Sequence, residues 1–339
     1  MNKTLKAAVI GLGVGEKHIE GFNSHPNCIV KKICDFNQEK MNEVSKRFPN
    51  IQLENNPHNI ISDKDIDIVS IASYDNYHAE QVIASLQNNK HVFVEKPLCL
   101  NRLEFNKIIN EIRSKPNLKI SSNLILRKTA RFEQLKQKVH KNQLGETYLI
   151  EGSYDYGRIH KILKGWRGEL PFYSVTHGGG IHLIDLMMWI TGKKIKSVYA
   201  KGTNVATKKT KFKYYDCVDS LLTFEDGLTG NIISNFAAVI PHGHRLVLHG
   251  TLGTFHHGPM GCAYFWDRDK NVVPEYINDP YPGSSKGDII PSFIDSILNE
   301  NVIPMVSSQE VFDTMNVSLA IEESLSKKEE VTVPCCIIN

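Results

Sequence analysis

The chain has 339 residues, of which 41% are hydrophobic and 23% charged, a balance typical of a globular protein with a large buried core. Its formal net charge of +3 is too small over this length to indicate a nucleic-acid-binding protein, and no apolar run approaches the ~20 residues of a membrane-spanning helix. Seven scattered cysteines include no CxxC pair. They favour reduced thiols in a cytoplasmic protein over a disulfide framework or a zinc site.

Up to residue 122, short β runs alternate with helical stretches. KAAVIGLG, CIVKKICDF, IDIVSIAS and HVFVEKP read as strands, and stretches such as NQEKMNEVSKRF and HAEQVIASLQNN between them read as helices. Strands separated by helices of this length pair in parallel. The sequence therefore predicts an α/β domain with a doubly wound parallel sheet, the Rossmann arrangement, over residues 1–122.

The pattern changes after residue 122. Longer β-like runs such as ETYLIEGSYDYG, CVDSLLTFEDG and LTGNIISNFAAVI follow one another, and turn signals such as EDG favour antiparallel pairing. Two helical stretches, near 286–299 and 308–326, close the chain. We predict a second, α+β domain over residues 123–339, with a large and mostly antiparallel open sheet.

A glycine-rich loop, VIGLGVGEKH, follows the first predicted strand and opens a helix. Its third glycine, Gly15, stands one place earlier than the GxGxxG fingerprint requires, and Glu16 takes the usual place. Asp35 ends the second predicted strand, where a carboxylate binds ribose hydroxyls and repels a 2′-phosphate, so NAD is favoured over NADP. The alternative is a cluster of turn glycines beside a surface aspartate. The predicted cofactor-binding residues here are Gly11, Gly13, Val14, Gly15 and Asp35.

The segment HVFVEKPL ends a later predicted strand with Glu95, Lys96 and Pro97. Ligands bind at the carboxyl ends of the strands in open α/β sheets. A lysine at this place can hydrogen-bond a hydroxyl group and stabilise a developing alkoxide. The alternative is a solvated lysine at the end of a strand.

The stretch VTHGGGIHLIDLMMWITG places polar residues in an apolar helical run. His182, Asp185 and Trp189 have the spacing i, i+3 and i+7, which puts them on one face, opposite an apolar stripe. The glycines before the helix would allow a ligand to approach the backbone. A metal site with His177 is one alternative, but it lacks a supporting cysteine cluster. A core histidine satisfied by an aspartate is the other.

The segment YDYGRIHKILKGWRGELPFYSVTH, before that helix, is rich in basic and aromatic residues. Arg158 could bind an anionic substrate such as a nucleotide sugar or sugar acid, since guanidinium groups suit phosphate and carboxylate. Trp166 could stack on a sugar or a base. The alternative is a solvated basic loop.

These motifs together resemble a known family. GLGVGEKH, DIVSIASYDNYH, NKHVFVEKPL, NLILR, LGETYLIEGSY and GGGIHLIDLMMW occur in the order found in the glucose-fructose oxidoreductase, inositol dehydrogenase and rhizopine catabolism family, Gfo/Idh/MocA. The resemblance covers nearly the whole chain, and the combination of EKP with GxHxxD is its most specific part. It implies a Rossmann domain, a C-terminal sheet that takes part in oligomer contacts, and a substrate held between that sheet and the nicotinamide.

The resemblance also implies residue roles. Lys96 would hydrogen-bond the reacting hydroxyl, with Glu95 orienting it, and a cis peptide bond before Pro97 is expected. His182 would be the general acid/base. The residues that would contact the cofactor are Ser73, Asn76, His78, Glu95 and Lys96, and those near the substrate would be Arg127 and Asp185.

Two positions depart from the family pattern. Tyr74 stands where relatives usually have a proline, in the loop that passes the cofactor. Gly178 stands where inositol dehydrogenase-like members carry an aspartate, four residues before His182. Without that carboxylate the histidine needs another orienting group, and free inositol becomes a disfavoured substrate.

The sequence thus predicts an NAD-dependent dehydrogenase of CH–OH groups. The substrate would be a sugar or sugar derivative, including nucleotide-linked sugars of surface-glycan synthesis. Alternatives are an inositol or polyol dehydrogenase, a glycosidase that works through transient oxidation, and a non-catalytic dinucleotide-sensing regulator. No metal, nucleic acid or membrane partner is expected, and a homodimer or homotetramer would form through the C-terminal sheet.

Overall fold

The structure, a computed structural model, describes residues 4–338. The chain folds into two compact units. One contains Met1–Ile125, Ser284–Phe312 and Ile337–Asn339, and the other contains Leu126–Gly283 and Asp313–Cys336. The sequence pattern did not reveal that the chain returns to the first unit at Ser284. The assignment of cofactor binding to 1–122 and of substrate binding to 123–339 stays a prediction, because compactness alone does not assign those roles.

The first unit is built on a parallel sheet. In the described residues its strands are β1 (Leu5–Ile10), β2 (Cys28–Cys34), β3 (Gln52–Glu54), β4 (Ile68–Ile71), β5 (His91–Val94) and β6 (Ile120–Ser122). Its first helices are α1 (Gly15–Asn23), α2 (Gln38–Arg47), α3 (Pro57–Ile61), α4 (Asp75–Gln87) and α5 (Arg102–Arg113). The strand order is β3-β2-β1-β4-β5-β6, with every neighbouring pair parallel.

This order makes the carboxyl ends of β1 and β4 the switch point of the sheet, where open α/β sheets bind their ligands. All four residues of β4 are buried, as expected for a central parallel strand covered on both faces. The glycine loop follows β1, and Glu95 and Lys96 follow β5. The predicted α/β Rossmann class is confirmed for this unit.

The second unit is built on a larger sheet. Its strands are β7 (Thr147–Asp155), β8 (Ile195–Thr203), β9 (Cys217–Phe224), β10 (Thr229–Asn235), β11 (Gly243–Gly250), β12 (Thr254–Gly258), β13 (Gly261–Phe265), β14 (Glu275–Tyr276) and β15 (Val331–Thr332). In the described part of the chain they run in the order β14-β13-β12-β11-β7-β10-β9-β8-β15, and β7 with β10 is the parallel pair among antiparallel neighbours. The predicted α+β class with a mostly antiparallel sheet is confirmed.

Helices complete both units. They are α6 (Ala130–His140), α7 (His160–Leu163), α8 (Trp166–Glu169), α9 (Ile181–Thr191), α10 (Ile290–Leu298) and α11 (Ser308–Lys327). One turn of π-helix, Thr176–Gly180, leads directly into α9. Leu183 and Met187 of α9 lie over Gly152 of β7, where a β-carbon would crowd them. The core of the second unit forms at this contact.

Candidate active site

The three glycines of the first loop have separate structural reasons. Gly11 has a φ of +86°, and a β-carbon there would overlap the backbone carbonyl of Ala72. A β-carbon at Gly15 would lie 2.8 Å from a Val9 methyl group, so this glycine lets α1 pack closely on β1. A β-carbon at Gly13 would meet nothing within 4 Å. The loop therefore has open space at the glycine where a ligand would approach the backbone.

Asp35 is fixed to this loop. One carboxylate oxygen accepts a hydrogen bond from the Leu12 amide at 2.6 Å, and the other accepts one from the Asn37 amide at 2.8 Å. The carboxylate thus stands at the end of β2 beside the glycines, as the ribose-binding prediction requires. These features fit a bound dinucleotide.

Glu16, which replaces the usual third glycine, points towards α2. Its carboxylate forms ion pairs of 2.6 Å with both Lys40 and Arg47. The hydrogen bond from Lys40, assisted by Arg47, keeps the pKa of Glu16 below its usual range. Val14 is the N-cap of α1 and has no side-chain capping bond. The departure from GxGxxG is tolerated because the side chain leaves the loop.

Glu95 lies in a buried polar cluster at the end of β5. Its carboxylate is 3.2 Å from Nε2 of His18 and accepts a 2.7 Å hydrogen bond from the Asn123 side chain. The other ring nitrogen of His18 is 2.9 Å from the Ser70 hydroxyl. Burial opposes ionisation, but the hydrogen bond and charge of His18, with smaller contributions from nearby lysines, hold the pKa of Glu95 far below its usual range. Lys96 is therefore the next residue in the chain after a glutamate that is held in its ionised form.

His18 is a residue whose role the sequence did not reveal. It lies three residues after Gly15 on α1 and is completely buried. A histidine directly after the glycine loop was visible in GEKH, but its partner is 77 residues away. The peptide bond between Lys96 and Pro97 is cis, as the resemblance implied.

His78 ties together the two loops after β4 and β5. It is completely buried, and its ring nitrogens lie 2.7 Å from the carbonyl oxygen of Pro97 and 3.1 Å from that of Ser73. Ser73 also donates a hydrogen bond to the Gln81 side chain. His78 thus connects the two loops through contacts with a backbone carbonyl group of each. Asn76, in the first turn of α4, is exposed.

The Tyr74 departure is conservative in backbone geometry. Its φ is −71°, a value that the ring of a proline would also impose. Its ring packs on the exposed Phe36, 5.6 Å between centroids, in the segment after β2. The shape of the loop is therefore compatible with the proline of relatives.

In the second unit, His182 stacks against a wall of aromatic rings. Its ring is 6.1 Å from that of Tyr154 with an interplanar angle of 16°, and Tyr154 in turn stacks on Phe236 at 5.8 Å. His244 packs edge-on against Tyr154 at 5.0 Å, and its Nδ1 is 2.5 Å from the hydroxyl of Tyr281. Burial, with smaller contributions from neighbouring histidines, lowers the pKa of His244 to about 3. A neutral imidazole thus supports the ring next to His182.

Asp185 and Arg127 are paired with each other. Both side chains are almost fully buried, and the Asp185 carboxylate accepts hydrogen bonds from Nε and Nη2 of Arg127, the Nε contact being 2.9 Å. The Thr314 hydroxyl lies 3.4 Å from the same carboxylate. The expectation that both residues contact substrate stays a prediction. Their geometry is that of a buried ion pair that holds α9 to the 3₁₀ turn Ile125–Lys128.

The triple glycine before α9 serves close packing inside the protein. A β-carbon at Gly179 would lie 2.5 Å from the Tyr154 ring, and one at Gly180 would overlap the Ser234 hydroxyl. A β-carbon at Gly178 would overlap the hydroxyl of Tyr173. The sequence interpretation, close approach by a ligand, is replaced by close approach of these side chains. The space beside Gly178 holds a phenol.

The basic segment before the π-turn contains two short helices, α7 and α8. Arg158 is exposed, with its guanidinium 5.8 Å from the centre of the Tyr156 ring. Trp166 is half-buried at the start of α8, under the guanidinium of Arg167 at 4.5 Å. Neither placement tests the predicted substrate contacts.

Two further findings concern metals and membranes. In residues 4–338 no group of three or more His, Cys, Asp or Glu side chains is arranged to hold a metal ion. Over the same residues, no helix is long and apolar enough to cross a membrane.

A parallel sheet with a glycine loop and an aspartate at the end of its second strand, followed by a unit with a large antiparallel sheet, is the arrangement of a two-domain dinucleotide-dependent oxidoreductase. Residues 5–123 match the family model of the Gfo/Idh/MocA oxidoreductases, described as an NAD-binding Rossmann fold, and residues 132–256 match the Gfo/Idh/MocA C-terminal domain. The chain belongs to the Gfo/Idh/MocA oxidoreductase family. The predicted family and the predicted NAD-dependent oxidoreductase are confirmed.

The sequence identity of the chain to individual relatives is low. The chain is 26% identical to the myo-inositol 2-dehydrogenase of Thermotoga maritima over 257 residues, 74% of each protein. It is 24% identical to the D-glucoside 3-dehydrogenase of Escherichia coli, over 67% of this chain and 66% of that protein. The fold matches that of scyllo-inositol dehydrogenase from Lactobacillus casei, solved with NAD(H) and scyllo-inositol, with a TM-score of 0.81 at 22% identity and coverage of 98% and 99%.

Proposed function

We propose that the protein oxidises a ring hydroxyl of a sugar, cyclitol or related polyol with NAD, or catalyses the reverse reduction. The observation that carries the proposal is the Glu95–Lys96 pair at the end of β5, with Glu95 fixed as a carboxylate by His18 and Asn123. The relatives named as inositol and glucoside dehydrogenases support a polyhydroxylated substrate.

The dinucleotide would be held by the glycine loop and by Asp35. The amides at the start of α1 would face the pyrophosphate, with Gly11, Gly13, Val14 and Gly15 keeping side chains out of its way. Asp35 would accept hydrogen bonds from the adenosine ribose, which favours NAD over NADP. When bound, NAD supplies the hydride acceptor of the reaction.

The chain's own residues would manage the proton. His182 would accept the proton of the reacting hydroxyl, and the Lys96 ammonium would stabilise the alkoxide as it develops. The carboxylate of Glu95 would keep Lys96 oriented. The phenol of Tyr173 would take the position beside His182 that a carboxylate occupies in inositol dehydrogenase-like members. A phenol is neutral and can both donate and accept a hydrogen bond.

The missing carboxylate at Gly178 bears on the choice of polyol. Without it His182 needs another orienting group, which was the sequence argument against free inositol. The relatives named as inositol dehydrogenases keep inositols among the candidates. Nucleotide-linked sugars stay a prediction that depends on exposed Arg158 and on Trp166.

Assembly and location also stay predictions. The face of β9 that carries Leu221, which is 54% exposed, belongs to the large sheet through which a homodimer or homotetramer would form. A cytoplasmic location is consistent with the seven scattered cysteines, which include no CxxC pair.

The experiment is a screen of inositols, free sugars, glycosides and nucleotide sugars with NAD. The formation of NADH is measured for each compound. We expect turnover of at least one cyclic polyol or sugar, with the reduced cofactor released in stoichiometric amounts. Cleavage of a glycoside without net NADH would instead identify the transient-oxidation glycosidase. Tight NAD binding without any turnover across the panel would favour the dinucleotide sensor.

A further inference from the structure

A cavity in the second unit is lined by none of the predicted cofactor and substrate residues. Its volume is about 420 Å³, which is within the usual range for small-molecule pockets. The segment before the π-turn, the loop before β9 and the last turns of α11 enclose it. Its main lining residues are Phe172, Ser174, Lys213, Tyr214, Tyr215 and Glu322.

Glu322, on α11, is the acidic group of this cavity. Its carboxylate accepts a 2.5 Å hydrogen bond from the Ser174 hydroxyl. In the described part of the chain, no Lys, Arg or His lies within ion-pair distance of it. Burial raises the pKa of Glu322 to about 7, and the Ser174 bond opposes that shift only partly. A half-buried carboxylate that faces a cavity without a counter-charge is costly, so it favours either a proton or a cationic ligand.

The walls of the cavity suit a cation attached to a ring. Phe172 and Tyr214 stand edge to face with centroids 5.7 Å apart, and Tyr215 lines the same space. Aromatic faces attract ammonium groups through their quadrupole and cover apolar ring atoms. Lys213 is exposed at the cavity, so the positive charge there lies at its solvent side and the negative charge lies at its inner side.

We propose that this cavity is a second, non-catalytic binding site for a small organic ammonium ligand: a ring of monosaccharide size that carries a primary amine, as an amino sugar or amino-cyclitol does. The ammonium pairs with Glu322 and the ring lies against Phe172, Tyr214 and Tyr215. The site does not depend on the proposed dehydrogenase substrate.

The site is connected to the turn before His182. The Ser174 hydroxyl that bonds Glu322 also accepts hydrogen bonds from the backbone amides of Thr176 and His177, each at 3.1 Å. Tyr173, which lines the cavity, places its hydroxyl against Gly178. A ligand in the cavity therefore contacts residues that support the start of α9.

Binding should depend on pH in a defined direction. The ammonium requires the ionised carboxylate, so affinity rises with pH up to about 7 and is level above it, and binding below that pH releases a proton. The other titratable groups that face Glu322 across the cavity are Lys213 and the phenols of Tyr173, Tyr214 and Tyr215. His177 lies one turn away, bonded through Nδ1 to Ser318 of α11.

The test is titration calorimetry on the full chain saturated with NAD. The probe is cyclohexylammonium chloride, and cyclohexanol is its neutral counterpart of the same shape. We expect single-site binding of the ammonium, tighter than that of cyclohexanol by about tenfold, as for a charge-assisted hydrogen bond. Glu322→Gln should remove this preference. Glu329→Gln, which neutralises an exposed glutamate just beyond α11, should leave it unchanged.

A second variant tests the role of charge in ammonium binding by changing Lys213, which lies at the solvent side of the cavity. Lys213→Glu replaces an exposed residue, so folding should be unaffected, and it should tighten ammonium binding about two- to fivefold at low salt. Equal affinity for the two probes, ammonium binding that survives Glu322→Gln, pH-independent binding, or no effect of Lys213→Glu would each overturn the proposal.

Discussion

Two carboxyl groups, that of buried Glu95 in the first unit and that of half-buried Glu322 in the second, have opposite pKa shifts. The pKa of Glu95 is held far below its usual range because His18 bonds the carboxylate and carries a favourable charge, and because lysines lie nearby. Glu322 has the Ser174 hydroxyl as its hydrogen-bond donor, and burial raises its pKa to about 7. Burial alone therefore does not set the charge of these groups. The first carboxylate has a permanent partner and directly precedes the predicted catalytic lysine, while the second is ready to take up a proton or a cation.

Of the changes that test this contrast between Glu95 and Glu322, removal of the partner of Glu95 should have the largest effect on stability. In His18→Ala the carboxylate stays buried without its main bond, which should lower the free energy of unfolding by about 3 to 4 kcal/mol. Urea denaturation of the original protein and of the variant measures this free energy of unfolding. The matched control is His58→Ala, an exposed histidine of the same unit, which should change stability by less than about 0.5 kcal/mol. Equal stability of the two variants would show that His18 does not hold Glu95.

The stability contribution of Glu322 should fall as the pH rises. Its folded pKa lies above the ordinary value of 4.5, so the protein loses stability as pH rises from about 4.5 through about 7. Glu322→Gln cannot ionise and should be more stable than the original protein above pH 7, by about 2 to 3 kcal/mol, and similar to it near pH 4.5. Thermal unfolding across this pH range decides it. A constant difference at all pH values would contradict the shifted pKa.

A smaller effect is expected from the phenol beside Gly178. Tyr173→Phe keeps the ring and removes the hydroxyl, so the fold should persist while kcat falls about tenfold, the loss of one hydrogen bond of about 1.4 kcal/mol. NAD affinity should be unchanged. Tyr215→Phe, which removes the hydroxyl of an exposed tyrosine that lines the same cavity, is the control. If both variants retain full kcat, Tyr173 has no part in orienting His182.

The sequence predicted features that are local along the chain. The glycine loop, Asp35 at the end of β2, and Lys96 at the end of β5 each follow from a strand and the few residues after it. The fold class followed from the alternation of strands and helices, because hydrophobic periodicity is a local signal.

What the sequence could not predict was pairing across long separations. Arg127 and Asp185 were assigned to substrate separately, but they meet across 58 residues as a buried ion pair. His18 meets Glu95 across 77 residues. The phasing of α9 correctly placed Asp185 and Trp189 on one face, yet it could not say that Arg127 covers that face, with its guanidinium 5.7 Å from the Trp189 ring.

Two quantities measured on the same variants decide whether Lys96 and His182 carry the chemistry while the glycine loop holds NAD. For Lys96→Ala and His182→Ala, we expect turnover to fall by at least about a hundredfold, the usual effect of removing an acid–base group, with the Kd for NAD within about threefold of the original. If turnover survives in either variant, that residue does not carry the chemistry.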